Sequence, residues 1–124
     1  MTAPTPAPGY LLCSDLMWIS RITGTARDLG LKVLAARTLE QLEKLVGQQV
    51  PACIFLDLDT LPAEQVVARL QELGCTATRF VAFGSHVDIP ALRAAQAAGC
   101  DPVLPRSKMA ELLPTQLSAW LGSV

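Results

Sequence analysis

Pro51-Ala52-Cys53-Ile54-Phe55-Leu56-Asp57-Leu58 is the stretch on which the fold turns. Its centre is apolar without alternation, and a strand that shows no polar face is one covered on both sides, as in a parallel sheet between two layers of helices. The run ends on a carboxylate, Asp57, with a second, Asp59, two residues on. In open parallel sheets, ligands and chemistry gather outside the carboxyl ends of the strands, near the reversal of strand order. Asp57 is therefore the first residue to inspect.

Outward from residues 52–56, four more short apolar runs recur at 10–13, 32–35, 79–83 and 102–104, and helix-like segments follow all five. Ile19, Ile22, Ala26 and Leu29 share one face of the first helix, which Gly30 stops. The second opens at Thr38 with Gln41 three residues on, a capping-box pattern, and sets Leu42, Leu45 and Val46 on one side. The third starts near Thr60 with Pro62 in its first turn, passes Val66, Val67 and Leu70, and ends at Gly74. Asp88 caps the fourth, which carries Ile89, Leu92, Ala95 and Ala98 before Gly99. The fifth begins at Ser107 and includes Met109, Leu112, Leu113, Leu117, Trp120 and Leu121, with Pro114 placed to kink or delay it. Strands alternating with helices in this way imply right-handed crossovers, a parallel sheet and an α/β fold.

A chain of 124 residues has room for one core. With 51% hydrophobic and 17% charged residues it suits a buried sheet and not a disordered segment. Residues 1–9 hold three prolines and lack the charged and apolar regions of a signal peptide, so they read as a flexible lead-in to a domain at 10–124. A net charge of −1 offers no basic field for nucleic acid or anionic lipid. No apolar stretch approaches the roughly 18 residues of a membrane span, and a soluble, cytoplasmic protein is expected. Cys13, Cys53, Cys75 and Cys100 stand singly, and with one histidine in the chain they read as packing thiols, not as a zinc site or redox pair.

The strand ends bring together Ser14 and Asp15 from the first, Asp57 and Asp59 from the third, Gly84, Ser85 and His86 from the fourth, and Arg106 from the fifth. Asp57 and Asp59 would face the same side if the strand continued, and either could cap the next helix. His86, between Ser85 and Asp88, is read as a loop or helix-start residue.

From about residue 10 to residue 121 the chain resembles the receiver domains of bacterial two-component response regulators. Residues 51–58 resemble the family's proline-and-apolar-strand approach to its phosphoacceptor aspartate. Ala97-Ala98-Gly99-Cys100-Asp101-Pro102-Val103-Leu104 is similar to the run preceding its lysine. The resemblance implies a single flavodoxin-like, doubly wound α/β domain, with a five-stranded parallel sheet in the order 2-1-3-4-5 and five helices. It also implies a phosphoacceptor position at Asp57. Three elements depart from the pattern. Ser14-Asp15 stands where two acids hold magnesium, Gly84 stands at the switch hydroxyl with Ser85 one place on, and Arg106, followed by Ser107, stands at the lysine.

Asp15 and Asp57 alone would bind Mg2+ weakly, since that ion prefers more anionic oxygen, and no resident cofactor is expected. Arg106 is a permanent cation whose planar fork suits a bidentate carboxylate pair. This predicts a standing Asp57–Arg106 ion pair in place of the metal. The expected function is a stand-alone degenerate receiver, or pseudo-receiver, that is not an enzyme and has no phosphorylation cycle. It would be a protein-interaction module in signal transduction, its output passing through a histidine kinase, response regulator or effector because no effector domain follows the last helix. The resembled family commonly pairs through the fourth helix, fifth strand and fifth helix, where a homodimer could form. Met109, Leu113 and Trp120 would anchor that surface unless they are core. The alternative is a phosphorylatable single-domain response regulator with Asp57 as acceptor, Asp15 on Mg2+, Ser85 as the hydroxyl and Arg106 as the lysine. A small-molecule flavodoxin-like domain lacks its glycine-rich phosphate loop.

Overall fold

The continuous apolar run from Cys53 to Leu56, with Asp57 at its end, forms β3 (Cys53–Asp57), and all five residues are buried. The computed structural model describes residues 7–122. Its strands are β1 (Gly9–Leu12), β2 (Val33–Ala36), β3, β4 (Arg79–Gly84) and β5 (Val103–Pro105). The helices are α1 (Leu16–Asp28), α2 (Leu39–Gln48), α3 (Ala63–Glu72), α4 (Ile89–Ala97) and α5 (Arg106–Trp120). The strands make one parallel sheet in the order β2-β1-β3-β4-β5, the predicted topology. β3 lies between β1 and β4, at the reversal of strand order.

Side chains alternate along β3 and so divide between two cores. Ile54 and Leu56 pack with Leu42, Val46, Val66, Val67, Leu70 and Ala95 under α2, α3 and α4. Cys53 and Phe55 pack with Trp18, Ile22, Ala26, Met109, Leu113 and Leu117 under α1 and α5. Asp57 continues the second set by parity, which aims its carboxylate toward the α1 and α5 layer.

Local signals set the helix ends. The Thr38 hydroxyl accepts the Gln41 N–H at 3.2 Å, and the Gln41 side chain reaches back to the Arg37 N–H at 2.8 Å. The first bond satisfies a donor that the opening turn of α2 leaves free, and the second ties the Gln41 side chain to the residue before the cap. Gly30 and Gly74 close α1 and α3 at φ +72° and +102°, a left-handed backbone that glycine adopts without steric cost.

Several expectations are corrected. Met109, Leu113 and Trp120 are 0%, 1% and 7% exposed, so they are core and cannot anchor a partner. Their stripe along α5 lies against the sheet, where the Trp120 ring meets Phe55 edge-on at 6.1 Å. Pro114 sits inside α5 without ending it. α3 begins at Ala63 and not near Thr60, because the Thr60 hydroxyl is used elsewhere. Leu29 and Ile89, on the expected inward faces, are 42% and 46% exposed, since both lie at helix ends beyond the sheet's cover. Residues 1–6 of the lead-in lie outside the described residues, and Gly9 is already a buried member of β1. Among the described residues, no helix is long and apolar enough to cross a membrane.

Candidate functional site

Asp57 ends β3 at 2% exposure, the one buried charged side chain among the described residues. A carboxylate withdrawn from water must recover its hydrogen bonds within the protein. Its Oδ1 accepts from Arg106 Nη2 at 2.7 Å and from the Asp59 backbone N–H at 3.0 Å. Its Oδ2 accepts from the Cys13 thiol at 3.2 Å. The strand register explains the last contact: Leu12 lies opposite Leu56, so Cys13 comes level with Asp57.

Arg106 is the first residue of α5, directly after β5, so the fifth strand delivers it to the carboxyl edge. Its guanidinium lies 5.4 Å from the Phe83 ring and 6.0 Å from that of Trp18, and these two rings pack at 5.0 Å. Aromatic faces attract a cation and hold its plane in place. Nη2 also donates to Asp59 Oδ2 at 2.6 Å, so a single nitrogen bridges two carboxylates. The predicted ion pair is present, but it is not a bidentate fork. The turn that gives the Asp59 N–H to Asp57 also brings the Asp59 carboxylate to the same nitrogen, while Nη1 is buried without a partner.

The electrostatics follow. Burial by itself lowers the Arg106 pKa, but hydrogen bonds to Asp57 and Asp59 and their charges outweigh it and leave the pKa above its ordinary value. Burial pushes the Cys13 thiol up to about 12, partly offset by a backbone hydrogen bond at Asp15, while the Asp57 hydrogen bond and the charges of Asp57 and Asp15 add to the rise. Cys13 is therefore a protonated donor at neutral pH.

The other predicted positions do not converge on Asp57. Asp15 is exposed and caps α1, its Oδ1 accepting from the N–H groups of Met17 at 2.9 Å and Trp18 at 3.4 Å. Ser14 faces Thr60 instead: its N–H donates to Thr60 Oγ1 at 3.1 Å and the two hydroxyls lie 3.3 Å apart. Gly84 ends β4, and a Cβ placed there would come within 3.2 Å of the Leu58 side chain, which fills the space. The Ser85 hydroxyl accepts the Val87 N–H at 3.4 Å in a local turn, and His86 is exposed in the same loop.

The residues present do not fit a magnesium ion. That ion needs clustered anionic oxygen, but Asp15 is turned to its own helix, Ser14 is neutral, and a cation already occupies Asp57 Oδ1. Among the described residues, no three His, Cys, Asp or Glu side chains meet in a metal-holding group.

No family model and no curated protein matches the chain. Solved structures do. A response regulator from Thermotoga maritima superposes with TM-score 0.78 at 12% identity, over 96% of this chain and 99% of that one. The receiver domain of NtrX from Brucella abortus gives 0.79 at 14% identity, over 94% and 99%. An atypical orphan response regulator, described as having a phosphorylation-independent regulatory mechanism, gives 0.75 at 15% identity, over 93% and 95%. The fold is that of response-regulator receiver domains.

Within this receiver fold, Asp57 stands at the position that the sequence resemblance assigns to the phosphoacceptor, and Arg106 reaches it from the position of the lysine. Sequence reading placed both residues at this edge of the sheet, where the structure has them. It missed three contributors: Asp59 as a second carboxylate on Arg106, the Cys13 thiol as a donor, and Leu58 as the side chain filling the space at Gly84. Cys13 was recoverable from strand register. The other two depend on side-chain packing, which leaves no pattern in the sequence.

Proposed function

We propose that this chain is a signal-transduction module of the receiver type that acts through protein contacts without a phosphorylation cycle. The carrying observation is the Arg106 Nη2 bridge, at 2.7 Å from Asp57 and 2.6 Å from Asp59. Phosphoryl transfer to a carboxylate requires an exposed nucleophilic oxygen and a cation that neutralises charge on the incoming group. Here the Asp57 oxygens are engaged by Arg106, the Asp59 amide and Cys13, and the carboxylate is withdrawn from solvent. Arg106 takes the place beside Asp57 Oδ1 that a metal would need, although the pair of carboxylates it bridges keeps a net charge of −1. The receiver-fold protein with a phosphorylation-independent mechanism supports the reading by analogy. The partner is a signalling protein, such as a histidine kinase, response regulator or effector.

Beryllium fluoride with Mg2+ mimics a bound phosphoryl group and tests the reading. Titrated into the 15N-labelled chain, it is expected to leave the amides of residues 57–60 and 83–86 unmoved. Saturable shifts at those amides that vanish in Asp57→Asn would instead establish a phosphorylatable receiver.

A further inference from the structure

Pro62, Ala63, Pro90, Ala91 and Ala94 line the walls of a groove of about 410 Å³ between the amino-terminal turns of α3 and α4, with Leu58 beside them. Its charged lining residues are Glu64 and Asp88, both acidic. Asp88 accepts the Ala91 N–H at 3.3 Å, which holds its carboxylate at the start of α4. Glu64 makes no ion pair among the described residues. Next to Asp88, Val87 and Ile89 are 73% and 46% exposed, an apolar extension that the fold leaves in water.

We infer that this groove docks a helical segment of a partner protein that presents an apolar side chain flanked by lysine or arginine. Three features select that occupant. The small walls, built from alanine and proline, leave depth for one large apolar side chain. Glu64 and Asp88 complement a cation on either side of it, and no lining base opposes one. Val87 and Ile89 require cover beyond the groove, which a helix laid across it provides and a small organic cation does not. Leu58 ties the groove to the Asp57 turn, since it follows Asp57 and its N–H donates to the Phe83 carbonyl at 3.0 Å.

The inference deepens the proposed function by naming a surface and a partner chemistry, and it rests on the chain being an interaction module. The test uses two synthetic amphipathic helical peptides with the same leucine and phenylalanine stripe, one flanked by lysine and arginine and one by glutamate. Each is titrated into the 15N-labelled full chain. The basic peptide is expected to shift amides in residues 58–64 and 87–94, and the acidic one to leave them unmoved. Glu64→Lys is expected to weaken the basic peptide about fivefold. Ala94→Trp, which fills the groove, should abolish the shifts. Equal shifts from both peptides, shifts confined to other faces, or no shift would overturn the inference. Groove shifts that appear on raising the concentration of the protein alone would overturn it too, by identifying the occupant as a second copy. The outcome is separable from the preceding reading: a failed docking leaves the beryllium fluoride result intact, and beryllium fluoride binding would leave the docking result intact.

Discussion

A guanidinium that bridges two carboxylates is worth most where one carboxylate is buried, and Asp57 is that partner. Removing one member of a buried pair costs more than the pair contributes, because the other charge is left without compensation. Arg106→Leu is therefore expected to destabilise the fold by about 2 kcal/mol, below the roughly 3 to 5 kcal/mol of fully buried pairs, since a quarter of the Arg106 side chain remains exposed. In the Arg106→Leu background, Asp57→Asn should recover part of that loss, whereas alone it should destabilise. Urea midpoints of the four proteins check this, and additive effects would refute the coupling. The thiols give a second expectation. Burial pushes Cys13 up to about 12 and Cys100 up to about 11 from an ordinary 9.0, and raises Cys53 and Cys75 as well. Above the ordinary value the unfolded chain loses these protons while the folded chain keeps them, so stability is full below about pH 9 and falls as pH rises from there toward 12. A lower urea midpoint at about pH 10 than at about pH 8, with a smaller drop in Cys13→Ala, is the expected result.

At the scale of elements, sequence reading succeeded where one residue's chemistry decides a boundary. Thr38 and Gln41 forecast the start of α2, and Thr38→Ala should cost about 1 kcal/mol in thermal or urea unfolding through loss of the cap. Cys53 to Leu56 forecast a strand covered on both faces because a run this short and without a polar face, set among repeating helix-like segments, suits a buried parallel strand. Sequence reading faltered where an element's partner decides. The stripe of Met109, Leu113 and Trp120 looks the same whether it faces a sheet or another molecule, and only the docking of α5 against Phe55 and its neighbours assigns it inward. Gly84 and Leu58 show the same limit. Gly84 was legible as a missing hydroxyl, but not Leu58 as the side chain that fills the space. Gly84→Thr is accordingly expected to destabilise by about 1 to 2 kcal/mol through overpacking, and Leu58→Ala in the same chain to relieve part of that cost. Equal costs in the presence and absence of Leu58 would show that the two positions do not compete.

At the scale of the whole molecule, a doubly wound sheet carries side chains from four strand ends to one edge, and the residues there decide its use. The fold was legible because five apolar runs and their intervening helices repeat in order. The site was legible in its two principal charges, Asp57 and Arg106. The Asp59 contact with Arg106 and the Thr60 contact with Ser14 were not, because they depend on how side chains pack across distant segments, whereas the Cys13 contact could have been drawn from the register of β1 on β3. Under the proposed function, Arg106 takes the place of a metal beside Asp57 and closes it to phosphoryl transfer. Intact mass after incubation with Mg2+ and acetyl phosphate tests that claim most directly. The predicted spectrum shows the unmodified chain alone, and an added phosphoryl mass that disappears in Asp57→Asn would contradict it.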